Sequence, residues 1–237
     1  MKASPNCGTP SQTATRWLTI FWTVATLLLL TRHADAHIMS GEAGGFSSGF
    51  KHPWSGWDHI CAMVAVGLWG AQLGKPSVWL LPVVFPMVMA FGGFLGLIGL
   101  PVPEMAVEIG IAASAILLGI MVLLSARPPI VVCATIVGIF GLFHGYAHGH
   151  ELPPGENGLL YSIGFVIATG TLHAVGITIG FIHFWKPGKI LLRGAGAAIA
   201  VAGLFFLFQA FHPEPETPNT KPATTPTSFQ SFKHSYI

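Results

Sequence analysis

His52-Pro53-Trp54-Ser55-Gly56-Trp57-Asp58-His59 runs directly into Ile60–Gly74, a stretch with no charged residue. Whether this stretch crosses a membrane decides the fold. Two imidazoles and a carboxylate stand at the start of a segment that is otherwise apolar. A second polar cluster, His144-Gly145-Tyr146-Ala147-His148-Gly149-His150-Glu151, closes a later apolar segment. The central question is whether the two clusters meet.

The rest of the chain answers the membrane question. Of 237 residues, 52% are hydrophobic and only 8% charged. Soluble domains carry about 25% charged residues. So few charges cannot cover a water-facing surface, and the class is an all-α integral membrane protein. The 29 glycines suit close helix packing in lipid. A formal charge of +2, with no basic stripe and no convincing phosphate-binding glycine loop, gives no sign of a nucleic-acid partner, and none is expected. Of the three cysteines, Cys61 and Cys133 fall in apolar segments at different depths, which argues against a disulfide between them. No CxxC pattern is present.

Taken in order, residues 1–36 have the form of a cleavable signal peptide. Lys2 and Arg16 precede a short apolar run, Trp17–Leu30, and Ala34-Asp35-Ala36 has the small-x-small pattern of a cleavage site. An uncleaved anchor is the alternative. Residues 37–52 are expected to be a flexible exported lead-in. Six apolar segments follow, near 53–74, 77–100, 105–126, 129–148, 158–183 and 190–211. Each is close to the roughly 20 residues that a spanning helix needs. In lipid the backbone must satisfy its own hydrogen bonds, so all six are expected as helices. The expected fold is therefore a six-transmembrane-helix bundle over 53–211. Residues 212–237, rich in Pro, Thr and Ser, are expected to form a disordered exported tail.

Charge tests the count. Alternate loops carry Lys75, Arg127, Lys186 and Lys189, with Arg193 close by, and no acid. The opposite loops carry Glu104, Glu108, Glu151 and Glu156, and no Lys or Arg. This is the positive-inside distribution of an inner-membrane protein with both mature termini exported. Gly141, Gly145 and Gly149 recur on one face of the fourth segment, and Gly92 and Gly96 on one face of the second. These read as packing faces. Pro82 and Pro86 should kink the second segment.

An ionisable residue at membrane depth costs several kcal/mol unless paired or hydrated, so it is a functional candidate. On one continuous helix, His52 and His59 would share a face about 10 Å apart. Pro53 would occupy its first turn. Asp58, about 100° away, would be a ligand or a partner of an imidazole N–H. His144 and His148 form an i, i+4 pair, with Glu151 on the same face if the helix continues that far. His173 sits near the middle of the fifth segment. Its neighbours Thr169 and Thr171 can bond back to their own helix. His150 and His183 read as mouth and interface residues. Cleavage after Ala36 would put a free amino group beside His37, a possible capture site. The expected layout is a path of imidazoles at descending depths. Imidazole with carboxylate suits Ni, Co, Zn, Cu or Fe.

At these residues the chain resembles the HupE/UreJ family. His52-Pro53-x-x-Gly56-x-Asp58-His59, followed by Met63-Val64-Ala65-Val66-Gly67-Leu68-Trp69, is similar to its first signature. Phe143-His144-Gly145-Tyr146-Ala147-His148-Gly149-x-Glu151 is similar to its second, and Thr171-Leu172-His173-Ala174-Val175-Gly176 to a shorter third. The resemblance covers roughly residues 37–211. It implies a permease for nickel, or cobalt in some members, associated with hydrogenase or urease maturation. It also implies that His52, Asp58, His59, His144, His148, Glu151 and His173 handle the metal as substrate. Cys61, where an aliphatic residue is expected, and the long tail depart from the pattern. Two other readings stand beside the permease: an intramembrane His-ligated metalloenzyme, and a metal-binding accessory subunit that does not transport.

Overall fold

The computed structural model describes residues 45–152 and 155–212. The expected signal peptide, His37, Pro153-Pro154 and the tail beyond 212 lie outside the described residues. Among the described residues seven α-helices follow one another: α1 Gly45–Ser55, α2 Trp57–Leu73, α3 Ser77–Leu97, α4 Glu104–Leu124, α5 Ile130–His150, α6 Gly158–Gly180 and α7 Lys186–Phe211. A short 3-10 turn, Phe181–Phe184, joins α6 to α7. Five of them, α3 to α7, are long and apolar enough to cross a membrane, with α6 extended by the turn.

The helices lack the polar stripe of a soluble surface helix. On α3 the outward residues are Trp79, Val83, Met87, Phe91 and Phe94, all exposed. A helix apolar on all sides belongs in lipid or in a protein core. The core itself is organised on α2. Ala62, Met63, Ala65, Val66 and Leu68 to Gln72 are all buried. Around it pack α3, α4, α6 and α7, while α3 lies along α5, α4 along α7, and α1 along α6.

The first apolar segment departs from expectation. It is not one helix from residue 53. Helix already runs from Gly45, where a flexible lead-in was expected, and breaks at Gly56. That residue is extended, at φ −102° and ψ 120°. The Ser55 hydroxyl donates to the His52 carbonyl at 2.6 Å, closing the last turn of α1. Pro53 consequently lies near the C-terminal end of α1 rather than in a first turn. The cause is tertiary. A Cβ on Gly49 would overlap the Tyr161 carbonyl, and one on Gly164 would overlap that of Phe46. The two backbones touch, so α1 is pulled aside onto α6 and cannot continue the axis of α2.

The same close approach joins α3 to α5. Cβ atoms on Gly145 and Gly149 would overlap the carbonyls of Met89 and Gly93, and a Cβ on Gly92 that of Leu142. The expected glycine faces do interlock, as packing devices. The charged loops also sort by end. Arg127 donates to the Gln72 carbonyl at 3.1 Å and Arg193 to that of Leu123 at 3.1 Å. Both arginines thus tie off the end where α2 and α4 finish. At the opposite end the Tyr146 hydroxyl donates to the Leu100 carbonyl and holds the α3–α4 connection.

Two alanine substitutions separate glycine as spacer from glycine as weak helix former. Gly145→Ala is expected to lower stability by about 1–3 kcal/mol, because its methyl meets backbone that cannot rotate away. Nothing lies near a Cβ at Gly170. Gly170→Ala should therefore gain up to about 1 kcal/mol of helix propensity. Thermal unfolding of the purified full chain in detergent should move in opposite directions for the two.

Candidate metal centre

The break at Gly56 builds the centre. With α1 folded aside, His52 does not sit two turns from His59 on one helix face. The two rings meet edge to face with centroids 5.8 Å apart. From α5, His148 comes between them, 4.4 Å from His52 and 4.6 Å from His59. Ligand atoms of His52, His59 and His148 all lie within 4.8 Å of one another. All three residues are buried. Nitrogens about 2.1 Å from a tetrahedral ion stand about 3.4 Å apart, so small rotamer moves would bring this trio onto one cation.

His144 extends the group, its ring 4.9 Å from His59. Its Nε2 lies 2.9 Å from the Ser114 hydroxyl, which donates to the Ile111 carbonyl of its own helix. The serine's proton is already used, so its oxygen accepts and His144 Nε2–H donates. That leaves Nδ1 with the lone pair, buried and without a protein partner. Sequence reasoning missed Ser114, because a serine within an apolar helix has no pattern of its own.

His173 stands apart. The four outer imidazoles form one cluster, and His173, expected below them, is a separate ring. Phe85 lies between, its centroid 5.5 Å from His144 and 5.3 Å from His173. The kinking prolines explain how His173 is held. Pro86 has no N–H for the Pro82 carbonyl, one turn earlier in α3. His173 Nδ1 fills that place at 3.3 Å. Its Nε2 is thereby the atom with the lone pair, again buried and unpartnered. Thr171 bonds back to Ile167 as expected, whereas the Thr169 hydroxyl points to the Met89 sulfur at 3.9 Å.

The carboxylates act from the side. Asp58 Oδ1 is 2.9 Å from His59 Nδ1, at an angle outside hydrogen-bond geometry. A carboxylate against one ring nitrogen orients the imidazole and raises its basicity, leaving Nε2 for the ion. Gly56 makes room for this pair, since a Cβ there would stand 2.6 Å from Asp58 Oδ1. Glu151 does not continue the α5 helix but caps it, its N–H bonded to the Ala147 carbonyl. From that cap Oε2 reaches to 3.7 Å from His52 Nε2. The side chain is half exposed, so it forms the outer rim. The Ser48 hydroxyl donates to Glu156 beside it.

The remaining candidates stay outside the group. His150 is exposed and stacks on Tyr146. His183 Nδ1 bonds the Gly180 carbonyl in the turn after α6. Cys61 is a free thiol that joins no ligand group among the described residues, in keeping with a small filler. Two aromatic residues went unnoticed in the sequence. Phe165 packs at 4.1 Å on His148, and Tyr161 at 6.2 Å on His52. Chemically, the centre offers imidazole nitrogens inside and carboxylates at the edge, a donor set for a borderline divalent transition metal.

Removing the support behind one imidazole should weaken the site without removing a ligand. Ser114→Ala is expected to lower Ni(II) affinity about 10- to 100-fold. His150→Ala should leave affinity as in the wild type. Calorimetric titration of the purified protein with Ni(II) measures both.

The family described as "HupE / UreJ protein" matches residues 25–206. The chain is also 44% identical over 183 residues to Protein HupE of Rhizobium leguminosarum bv. viciae, a match covering 77% of this chain and 95% of that protein. No solved structure matches. With its membrane-length apolar helices and a match of this extent, the chain is an integral membrane protein that belongs to the HupE/UreJ family.

Proposed function

We propose that the protein is a secondary permease for a divalent transition-metal cation, nickel first and cobalt next, supplying hydrogenase or urease maturation. In this reading α2 is the sixth spanning helix and α1 its docked extension. The histidine end of the bundle faces the exported side and the arginine end the cytoplasm, in line with the loop charges. One observation carries the proposal. Imidazoles from three separate helices, His52 of α1, His59 of α2 and His148 of α5, converge inside a bundle of membrane-length helices. A buried ligand group in such a place is a stop for an ion rather than surface decoration. Glu151 at the rim would attract a cation, the imidazoles would replace its water, and His173 would receive it deeper in.

The chain contains no nucleotide-binding motif, so the reading assigns no ATP coupling to it. Proteoliposomes loaded with the purified protein should take up Ni(II), with Co(II) the better competitor among Co, Zn, Cu and Fe. His59→Ala and His148→Ala should each lower uptake at least about tenfold at equal incorporation. Wild-type uptake in both variants would overturn the proposal.

The compactness of the trio favours a second reading. Three imidazoles around one point, with Asp58 behind His59, is also the form of an open three-ligand catalytic site. One non-exchanging metal per chain, together with hydrolytic turnover and no flux, would select that reading. Tight binding with neither turnover nor flux would select an accessory subunit.

A further inference from the structure

The four-imidazole group ends at His144, and the next buried ligand atom is His173 Nε2. These two imidazoles make no ring contact with each other. Each instead contacts Phe85, at interplanar angles of 57° and 85°. Phe85 is wholly buried. We infer that the Phe85 side chain is the internal gate between two ion stations, the outer His52/His59/His144/His148 group and an inner station at His173; this rests on the permease reading.

The local chemistry of α3 favours a swinging ring over a moving helix. Pro82 and Pro86 remove two rungs of the ladder, those to the Val78 and Pro82 carbonyls. One of the freed carbonyls is taken by His173, which fixes the inner imidazole against the same turn that carries Phe85. On the other side the Phe85 backbone is wedged against α5, where a Cβ on Gly141 would stand 2.8 Å from its carbonyl. The backbone is held on both sides, so the motion left is rotation of the ring. Met63 and Met89, buried in the same apolar cluster, are unbranched and can give way. An apolar ring excludes water from a bare path, which makes a constriction. Its face also attracts a cation within about 6 Å, so an ion leaving His144 meets a contact as well as a barrier.

The inner station would draw further donors from the turn before His173. Thr169 lies one turn from His173 on the same face of α6, and its hydroxyl touches the Met89 sulfur. All three residues are buried. An imidazole with a hydroxyl and a thioether holds a borderline metal weakly, which suits a place that an ion must leave.

A gate alters passage without altering equilibrium binding at the outer group, whereas a packing residue alters both. In proteoliposomes of the full chain, Phe85→Trp should cut Ni(II) uptake about tenfold and Phe85→Ala should raise it severalfold, as for a hydrophobic constriction. Ni(II) affinity of the outer group should stay within about threefold in both. Should Phe85→Trp fail to fold, Phe85→Leu and Phe85→Ala decide the matter in the same way. Unchanged uptake in the folded variants, or uptake and affinity falling together, would overturn the gate. A second arm does not depend on transport. Ni(II) titration of the wild type should show two ions per chain, and His173→Ala one. A single ion that is indifferent to His173→Ala would overturn the two stations, whereas wild-type liposomes that take up no metal, with two ions still bound, would overturn the permease reading while leaving both stations in place.

Discussion

The structure depends on taking imidazoles out of water without giving their nitrogens away to the protein. Among the described residues, His52, His59, His144, His148 and His173 all keep at least one buried nitrogen that no protein group satisfies. A buried polar atom left unmet costs about 1–3 kcal/mol. Several such atoms weigh heavily against a stability of only about 5–15 kcal/mol. The rest of the bundle offsets this by packing backbone on backbone. Gly49 against Tyr161, Gly145 against Met89 and Gly149 against Gly93 let helices approach until their carbonyls touch. The dispersion gained along these seams holds the helices rigid enough to keep ligand atoms in place.

Two hydrogen bonds then decide which nitrogen keeps its lone pair. Ser114 takes the Nε2 proton of His144, and Pro82 takes the Nδ1 proton of His173. The two imidazoles therefore present opposite atoms. Both anchors use an atom that ordinary helix bonding leaves spare, a serine oxygen already donating to its own helix and a carbonyl orphaned by a proline. Asp58 acts likewise on His59 by contact rather than by a well-aligned bond.

Much of this was legible in the residues. The apolar segments gave the helices because spans in lipid have few alternatives. The i, i+4 spacing of His144 and His148 survives as two buried rings on one face of α5. The glycine spacing of α3 and α5 likewise became a seam. What was not legible is tertiary. Gly56 makes room for Asp58 and His59, and only the grip of α6 on α1 turns it into a break. His52 and His59 were expected about 10 Å apart in depth because they were placed on one axis. Once that axis divides, the depths collapse into a cluster. Ser114 and Phe85 carry no local signal, for each matters only through residues far away in the chain. The role of Pro86 needed His173 to be seen beside it.

The docking of α1 has a bearing on how the protein is made. His52 belongs to one of the earliest described helices, yet its position is set by α6, more than a hundred residues later in the chain. His148 arrives with α5. During synthesis, then, the first helices enter the membrane with their histidines still apart. The trio assembles only after α6 has been inserted and α1 has folded back onto it. A half-made chain thus lacks the finished imidazole trio, which is closed by the same event that completes the bundle.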